Sequence, residues 1–278
     1  MWRNEELRLT SLNDITTKHR HIFLSPHFDD VIYSCGGTLG VQVSSGLRPL
    51  VLTVFGGIPA PDTQLSSYAT AMHREMGADP AKAVGNIVEV RRQEDAAACD
   101  FLQADYLWLD YLDAPYRGTP AYYTTEEALI GGEVHSSDLW IDKNLAEDLL
   151  ALRSRLPDAV WYAPLGIGRH VDHQIVCSAA DRLVQSGAKV YFYEDFPYVL
   201  RNPQARDARL QELGQGFDPV LVEMSEMLPL RQTAADKYET QTLVNFESQA
   251  AMHAEMARYT HSIRPVETVH LERYWQPR

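Results

Sequence analysis

Alternating strand-like and helix-like segments predict an α/β fold built on a mainly parallel sheet. Three observations carry this. Short runs rich in β-branched and aromatic residues recur through the first two hundred residues. Longer amphipathic stretches separate them. Histidine and aspartate gather directly after two of the runs, where parallel sheets of this kind place their ligands.

The elements follow in order. Residues 21–25 read as a buried strand, and 30–46 as a helix whose start holds Asp29 and Asp30. Gly36-Gly37 is costly inside a helix and implies close packing on the sheet. Residues 50–55 form a second strand that ends in the turn-forming Gly56-Gly57. Pro59, Pro61 and Pro80 make 57–87 a long excursion with one short helix near 66–76. Helical periodicity returns over 88–103, and 106–109 is a third strand. Residues 110–140 read as a loop, with turns at Asp113-Ala114-Pro115 and Gly131-Gly132. A helix over 142–155, with Asp142 as its cap, leads to a fourth strand at 159–163. A helix over 172–187 and a fifth strand at 189–193 complete this part.

Beyond residue 200, the stretch 228–249 reads as mostly helical, 253–259 continues it, and the tail from 269 begins like a strand. No linker, repeat or low-complexity segment sets this region apart. The expectation is one domain over 1–278, with a core at 20–200 and a C-terminal extension at 200–278.

A chain of 278 residues can bury a sizeable core. Its net charge is −13, from 25 basic and 38 acidic residues, and it has no basic stripe, which excludes a nucleic-acid partner. Cys35, Cys99 and Cys177 lie far apart without a CxxC pair, as expected of reduced thiols in the cytoplasm. The start, Met1-Trp2-Arg3-Asn4-Glu5-Glu6, is acidic and unlike a secretion leader. No apolar run is long enough to span a bilayer. The oligomeric state is left open, a homo-oligomer included.

Two motifs carry the chemistry. Ser25-Pro26-His27-Phe28-Asp29-Asp30 follows the first strand, and Gly168-Arg169-His170-Val171-Asp172-His173 follows the fourth. Either one alone has a plainer explanation. Asp29 and Asp30 suit a helix N-terminus, and His170 and His173 suit a polar loop. Together they offer two histidines and a carboxylate to a first-row divalent ion, with a carboxylate and a histidine to spare. Three ligands leave a position open for water, as hydrolytic zinc sites do.

The chain resembles the PIG-L (LmbE-like) family of zinc-dependent de-N-acetylases. The resemblance rests on Pro26-His27-Phe28-Asp29-Asp30, Gly36-Gly37, Arg91-Arg92-Gln93-Glu94-Asp95 and His170-Val171-Asp172-His173. Tyr193-Glu194-Asp195-Phe196-Pro197-Tyr198 matches a subset of the family. It implies a Rossmann-like three-layer α/β/α sandwich. It also implies that His27, Asp30 and His173 bind Zn2+ and that Asp29 is the general base. His170 then meets the oxyanion as a positively charged imidazole or protonates the leaving amine. Asp172 would orient an imidazole. Arg91 or Arg92 would reach a polar part of the substrate, and Glu194 and Asp195, after the fifth strand, would face the site. Phe28 and Val31 depart from the commonest pattern, where proline and glutamate are frequent, and this puts the pocket rim in question.

The expected activity is removal of an acetyl group from an N-acylated amino sugar or its conjugate. The alternatives are an amidase of the same fold acting on a non-sugar or longer-acyl amide, and a sugar-binding protein without turnover.

Overall fold

A computed structural model describes residues 7–214 and 216–278. The acidic start at residues 1–6 lies outside the described residues. In chain order the first half holds β1 (His21–Ser25), α1 (Asp30–Ser44), β2 (Pro49–Thr53), α2 (Ser67–Glu75), α3 (Asn86–Leu102) and β3 (Asp105–Trp108). Then come α4 (Glu126–Leu129), α5 (Leu139–Arg155), β4 (Val160–Pro164), α6 (Val171–Gln185) and β5 (Lys189–Tyr193). The last part adds α7 (Tyr198–Arg201), α8 (Pro203–Leu213), β6 (Phe217–Glu223), α9 (Leu228–Ala235), α10 (Glu239–Asn245), α11 (Gln249–Ser262) and β7 (Leu271–Pro277).

The sheet order is β3-β2-β1-β4-β5-β7-β6. The first five of these strands pair in parallel, and β7 and β6 are antiparallel additions. The order runs outward from β1 through β2 and β3 on one side and from β4 through β5 on the other. Right-handed crossovers then put α1 and α3 on one face and α5 and α6 on the opposite face. The contacts agree: α1 packs on α3 and α9, and α5 packs on α6. The crevice between the carboxyl ends of β1 and β4 is the topological switch point, where such sheets bind ligands. Both motifs end there.

Several expectations change. The helix expected from Asp142 starts at Leu139, because the 3-10 turn Ser136–Asp138 runs into it and Asp138 takes the cap position. Asp142 instead pairs with Arg182 of α6. The helical stretch expected over 228–249 breaks at two buried aromatics, Tyr238 and Phe246, into α9, α10 and the start of α11. The region after 200 also supplies two strands to the sheet. Gly36 and Gly37 do serve close packing, but against this region. A Cβ on Gly36 would lie 2.9 Å from Arg231 Cγ, and one on Gly37 would lie 2.7 Å from Met224 Cε. Into that space fits Glu272 of β7, which accepts from Gly37 N and Thr38 N (both 2.8 Å) and pairs with the buried Arg231.

Candidate metal and catalytic site

The turn after β1 is built to present side chains. Ser25 Oγ donates to His27 O (2.5 Å) and accepts from Val31 N (3.1 Å), which closes the turn without using the Asp29 carboxylate. Asp29 occupies the N-cap position of α1 yet makes no side-chain capping bond. Its carboxylate faces the cavity instead. Asp30 turns back and accepts from His27 N at 2.7 Å.

The turn after β4 converges on the same point. Gly168 adopts φ +87°, and a Cβ there would lie 2.6 Å from the Tyr198 ring, so only glycine fits this approach. Asp195 Oδ2 accepts from Gly166 N and Ile167 N, both at 2.9 Å, and pins the turn. His170 caps α6, its Nδ1 accepting from Asp172 N at 3.2 Å. In a neutral ring that contact leaves the hydrogen on Nε2.

Asp30 Oδ2 stands 3.2 Å from His27 Nδ1 and 3.3 Å from His173 Nε2. Donors placed 2.0–2.2 Å from a tetrahedral ion lie about 3.3–3.6 Å apart. His173 Nε2 is buried and has no hydrogen-bond partner. The outer nitrogens of both rings meet carboxylates: His27 Nε2 lies 3.0 Å from Asp172 Oδ2, and His173 Nδ1 lies 2.7 Å from Asp195 Oδ1. Metal-binding histidines are held in this way. The donor set therefore fits a divalent ion. Ring nitrogens of His27, His170 and His173 also lie within 4.8 Å of one another, as do donors of His27, Asp113 and Asp172.

The electrostatics are those of a cation site. Burial opposes charge on His27, but Asp113, Asp172 and Asp30 outweigh it and hold its pKa well above the usual histidine value. Burial is likewise overcome at His173, which Asp30 and Asp195 raise to about 9. Asp30 is held well below the carboxylate range against burial, first by His173 and then by His27. Asp29 moves the other way: burial and the charge of Asp30 raise it, against Arg91 and His27. Burial and the charge on His27 push His170 down to about 3. This direction favours a neutral His170, where the expectation was a positively charged imidazole.

The structure separates the residues expected to bind substrate. Arg91 reaches the cavity, with NH2 3.4 Å from Asp29 Oδ1 and NH1 3.3 Å from Asp113 Oδ2. Arg92 is turned away to Gly56 O and Asp110, because one step along α3 rotates it off the cavity face. Glu194 is committed beneath the sheet end to Arg273, Trp275 and Tyr259. Asp195 holds His173 and the β4 turn. Phe28 and Val31 are buried and do not line the cavity, so these departures touch the core and not the rim.

Two residues escaped the sequence reading. Asp113 lies 3.5 Å from His27 Nε2. Arg117 pairs with Asp172 (2.6 Å) and Asp138 (2.9 Å). Both follow β3, on the ligand side of the sheet, and that position was the one available signal. The cluster opens into a cavity of about 320 Å³, whose walls include Tyr33, His73, Tyr116, Tyr198 and Gln241.

Paired motifs at a switch point, on a seven-stranded and mostly parallel sheet, define an α/β fold of the de-N-acetylase class. The chain belongs to the PIG-L family, described as GlcNAc-PI de-N-acetylase, whose model matches residues 22–184. It is 34% identical to a 2'-N-acetylparomamine deacetylase of Niallia circulans, over 84% of each chain. It is 28% identical to a 2'-N-acetylparomamine deacetylase of Streptomyces fradiae, over 99% of this chain and 96% of that one. Among solved structures, the zinc-inhibited form of teicoplanin deacetylase Orf2 superimposes with a TM-score of 0.77 at 25% identity, over 93% of this chain and 98% of that one.

Proposed function

We propose that this chain is a divalent-metal-dependent N-deacetylase that hydrolyses the acetamide of an N-acetylated amino-sugar conjugate. The observation that carries this reading is Asp30 Oδ2, which lies within 3.3 Å of a ring nitrogen from each motif, one of them buried and without a hydrogen bond. His27, Asp30 and His173 would hold zinc or another first-row divalent ion. Such an ion, when bound, polarises the amide carbonyl and lowers the pKa of water.

The chain's own residues supply the rest. Asp29 takes the proton of the attacking water and passes it to the departing amine, so the C–N bond breaks to give acetate and a free amine. Arg91 steadies the ionised Asp29. His170 donates Nε2–H to the carbonyl oxygen as that oxygen gains charge. A neutral donor does this without placing a further charge beside the residues that would hold the ion. Asp172 and Asp195 hold the two imidazoles in register, and Arg117 neutralises Asp172. The cavity is at the small end of the range for small-molecule sites, which supports a sugar-sized substrate. The names of the relatives support an amino-sugar amide.

The test is mass spectrometry of a panel of N-acetylated amino-sugar conjugates, longer N-acyl analogues and non-sugar amides, with the metal-replete protein. Loss of an acetyl mass from sugar conjugates is expected. A replete protein that turns over only the non-sugar amides, or none of the panel, would overturn the reading.

A further inference from the structure

Asp95 is fully buried on α3 and plays no part in the chemistry above. It lies one helical turn beyond Arg91, which reaches Asp29 from the cavity side. Asp95 Oδ2 accepts from the Trp108 indole N–H at 2.6 Å. Its Oδ1 lies 2.7 Å from the hydroxyl of Tyr238, which is also fully buried. That same hydroxyl stands 3.0 Å from the carbonyl oxygen of Phe28. The Phe28 carbonyl belongs to the peptide that leads directly into Asp29.

A phenol carries one hydrogen. If Asp95 is ionised, its Oδ1 and the Phe28 carbonyl compete for that hydrogen, and when the carbonyl wins, Oδ1 keeps only the long contact with Cys99 Sγ at 3.9 Å. If Asp95 is protonated, its O–H donates to Tyr238 Oη and Tyr238 donates to Phe28 O. The Trp108 N–H still has Oδ2, so every group is satisfied. A buried polar group without a well-formed hydrogen bond is costly, which favours the protonated arrangement.

We propose that Asp95 is a positioning residue: as a neutral acid it works through Tyr238 to fix the Phe28–Asp29 peptide, and with it the orientation of the Asp29 carboxylate. The proposal rests on the assignment of Asp29 as base. It also gives the Arg91-Arg92-Gln93-Glu94-Asp95 segment a common purpose. Arg91 holds the Asp29 side chain and Asp95 its backbone. Glu94 accepts from Thr240 N (2.8 Å) and Thr240 Oγ1 (2.6 Å), and so anchors α10 against the cavity.

Burial, opposed by the Trp108 and Tyr238 hydrogen bonds, raises Asp95 to about 7. The groups facing it are Arg91 and Cys99 of α3, Tyr106 and Trp108 of β3, Asp29 of the β1 turn, and Tyr238. The relay is then intact on the acid side of neutrality and loosens as the carboxyl ionises.

Three variants and one spectrum test this. Asp95→Ala and Tyr238→Phe should each lower kcat about 10–100-fold through misorientation of the base, with KM and metal content little changed. Their double variant should be no worse than either one. Asp95→Asn can donate its amide N–H to Tyr238 and accept from Trp108. It should recover most of the loss and lack the alkaline decline in kcat expected of the unaltered protein. The Trp108 indole N–H resonance, assigned with Trp108→Phe, should titrate near pH 7 and stand still in Asp95→Asn. Near-normal kcat in a folded Tyr238→Phe would overturn the relay. So would a Trp108 resonance that is flat from pH 5.5 to 8.5. An Asp29→Asn control separates the two readings: an active Asp29→Asn sinks the base assignment, whereas an inactive one beside a normal Tyr238→Phe sinks only the relay.

Discussion

Asp195 Oδ1 lies 2.7 Å from His173 Nδ1, while its Oδ2 accepts from two backbone N–H groups of the turn after β4. One carboxylate thus sets both the ring orientation of His173 and the loop that carries the second motif. Asp195→Asn should therefore weaken metal binding about 10–100-fold, the usual effect of losing a partner that orients a ligand. Competition with a chelator of known affinity measures it. An unchanged dissociation constant would show that His173 is held by its packing alone.

Arg117 is buried between Asp172 and Asp138. Burial opposes the charge on Asp172, and Arg117 is the strongest influence keeping its pKa low. Arg117→Leu would strand two buried carboxylates, and breaking a buried pair from one side typically costs about 3–5 kcal/mol. Urea denaturation should show a lower midpoint with an unchanged slope. A midpoint within error of the original would mean that Asp172 and Asp138 find other partners.

The site motifs and the parallel core were legible because their signals are local. Each of the first five strands is a short apolar run, helical periods recur between them, and the two motifs lie just after strands. The loss of legibility has physical causes. β6 is an edge strand with mostly exposed residues and Pro219 inside it, and proline argues against a strand in any reading by pattern. α8 carries no apolar stripe. Arg92 and Glu194 carry the right chemistry in the right segments, but one residue of helical or strand phase decides whether a side chain meets the cavity. Asp113 and Arg117 lie in an irregular segment where sequence period says nothing about direction.

The pH dependence follows from Asp29 and His170. Burial and the charge of Asp30 raise the Asp29 pKa, so Asp29 keeps its proton to a higher pH than an ordinary carboxyl, which loses it near about 4. A base works only when ionised. kcat should therefore fall as pH drops through this raised value, with an acid limb above the usual carboxylate range. Burial and the charge on His27 lower His170 to about 3, so it is expected to stay neutral over this range. His170→Ala should lower kcat about 10²–10³-fold, as loss of an oxyanion donor does, without moving either limb and without loss of metal. A shifted alkaline limb would make His170 the proton donor. A metal-free His170→Ala would make it a ligand.

Gly37 lies where α1 meets Met224 and Glu272. A methyl group there would fall 2.7 Å from Met224 Cε and 2.8 Å from Glu272 Oε1. Gly37→Ala should destabilise the fold by about 1–3 kcal/mol through overpacking, despite the better helix propensity of alanine. Thermal unfolding should show a lower Tm. A gain in Tm would mean that the Met224 side chain yields at no cost.

The central claim is that Asp29 is the base of a metal-dependent amide hydrolysis and not a ligand. Asp29→Asn keeps the shape of the side chain and removes its basicity. The direct measurement is acetate release by metal-replete wild type and Asp29→Asn on the same N-acetylated amino-sugar conjugate, with metal content determined on the same samples. The account predicts a rate lower by about 10²–10⁴-fold at equal metal occupancy. Near-normal acetate release, or loss of the metal together with the activity, would contradict it.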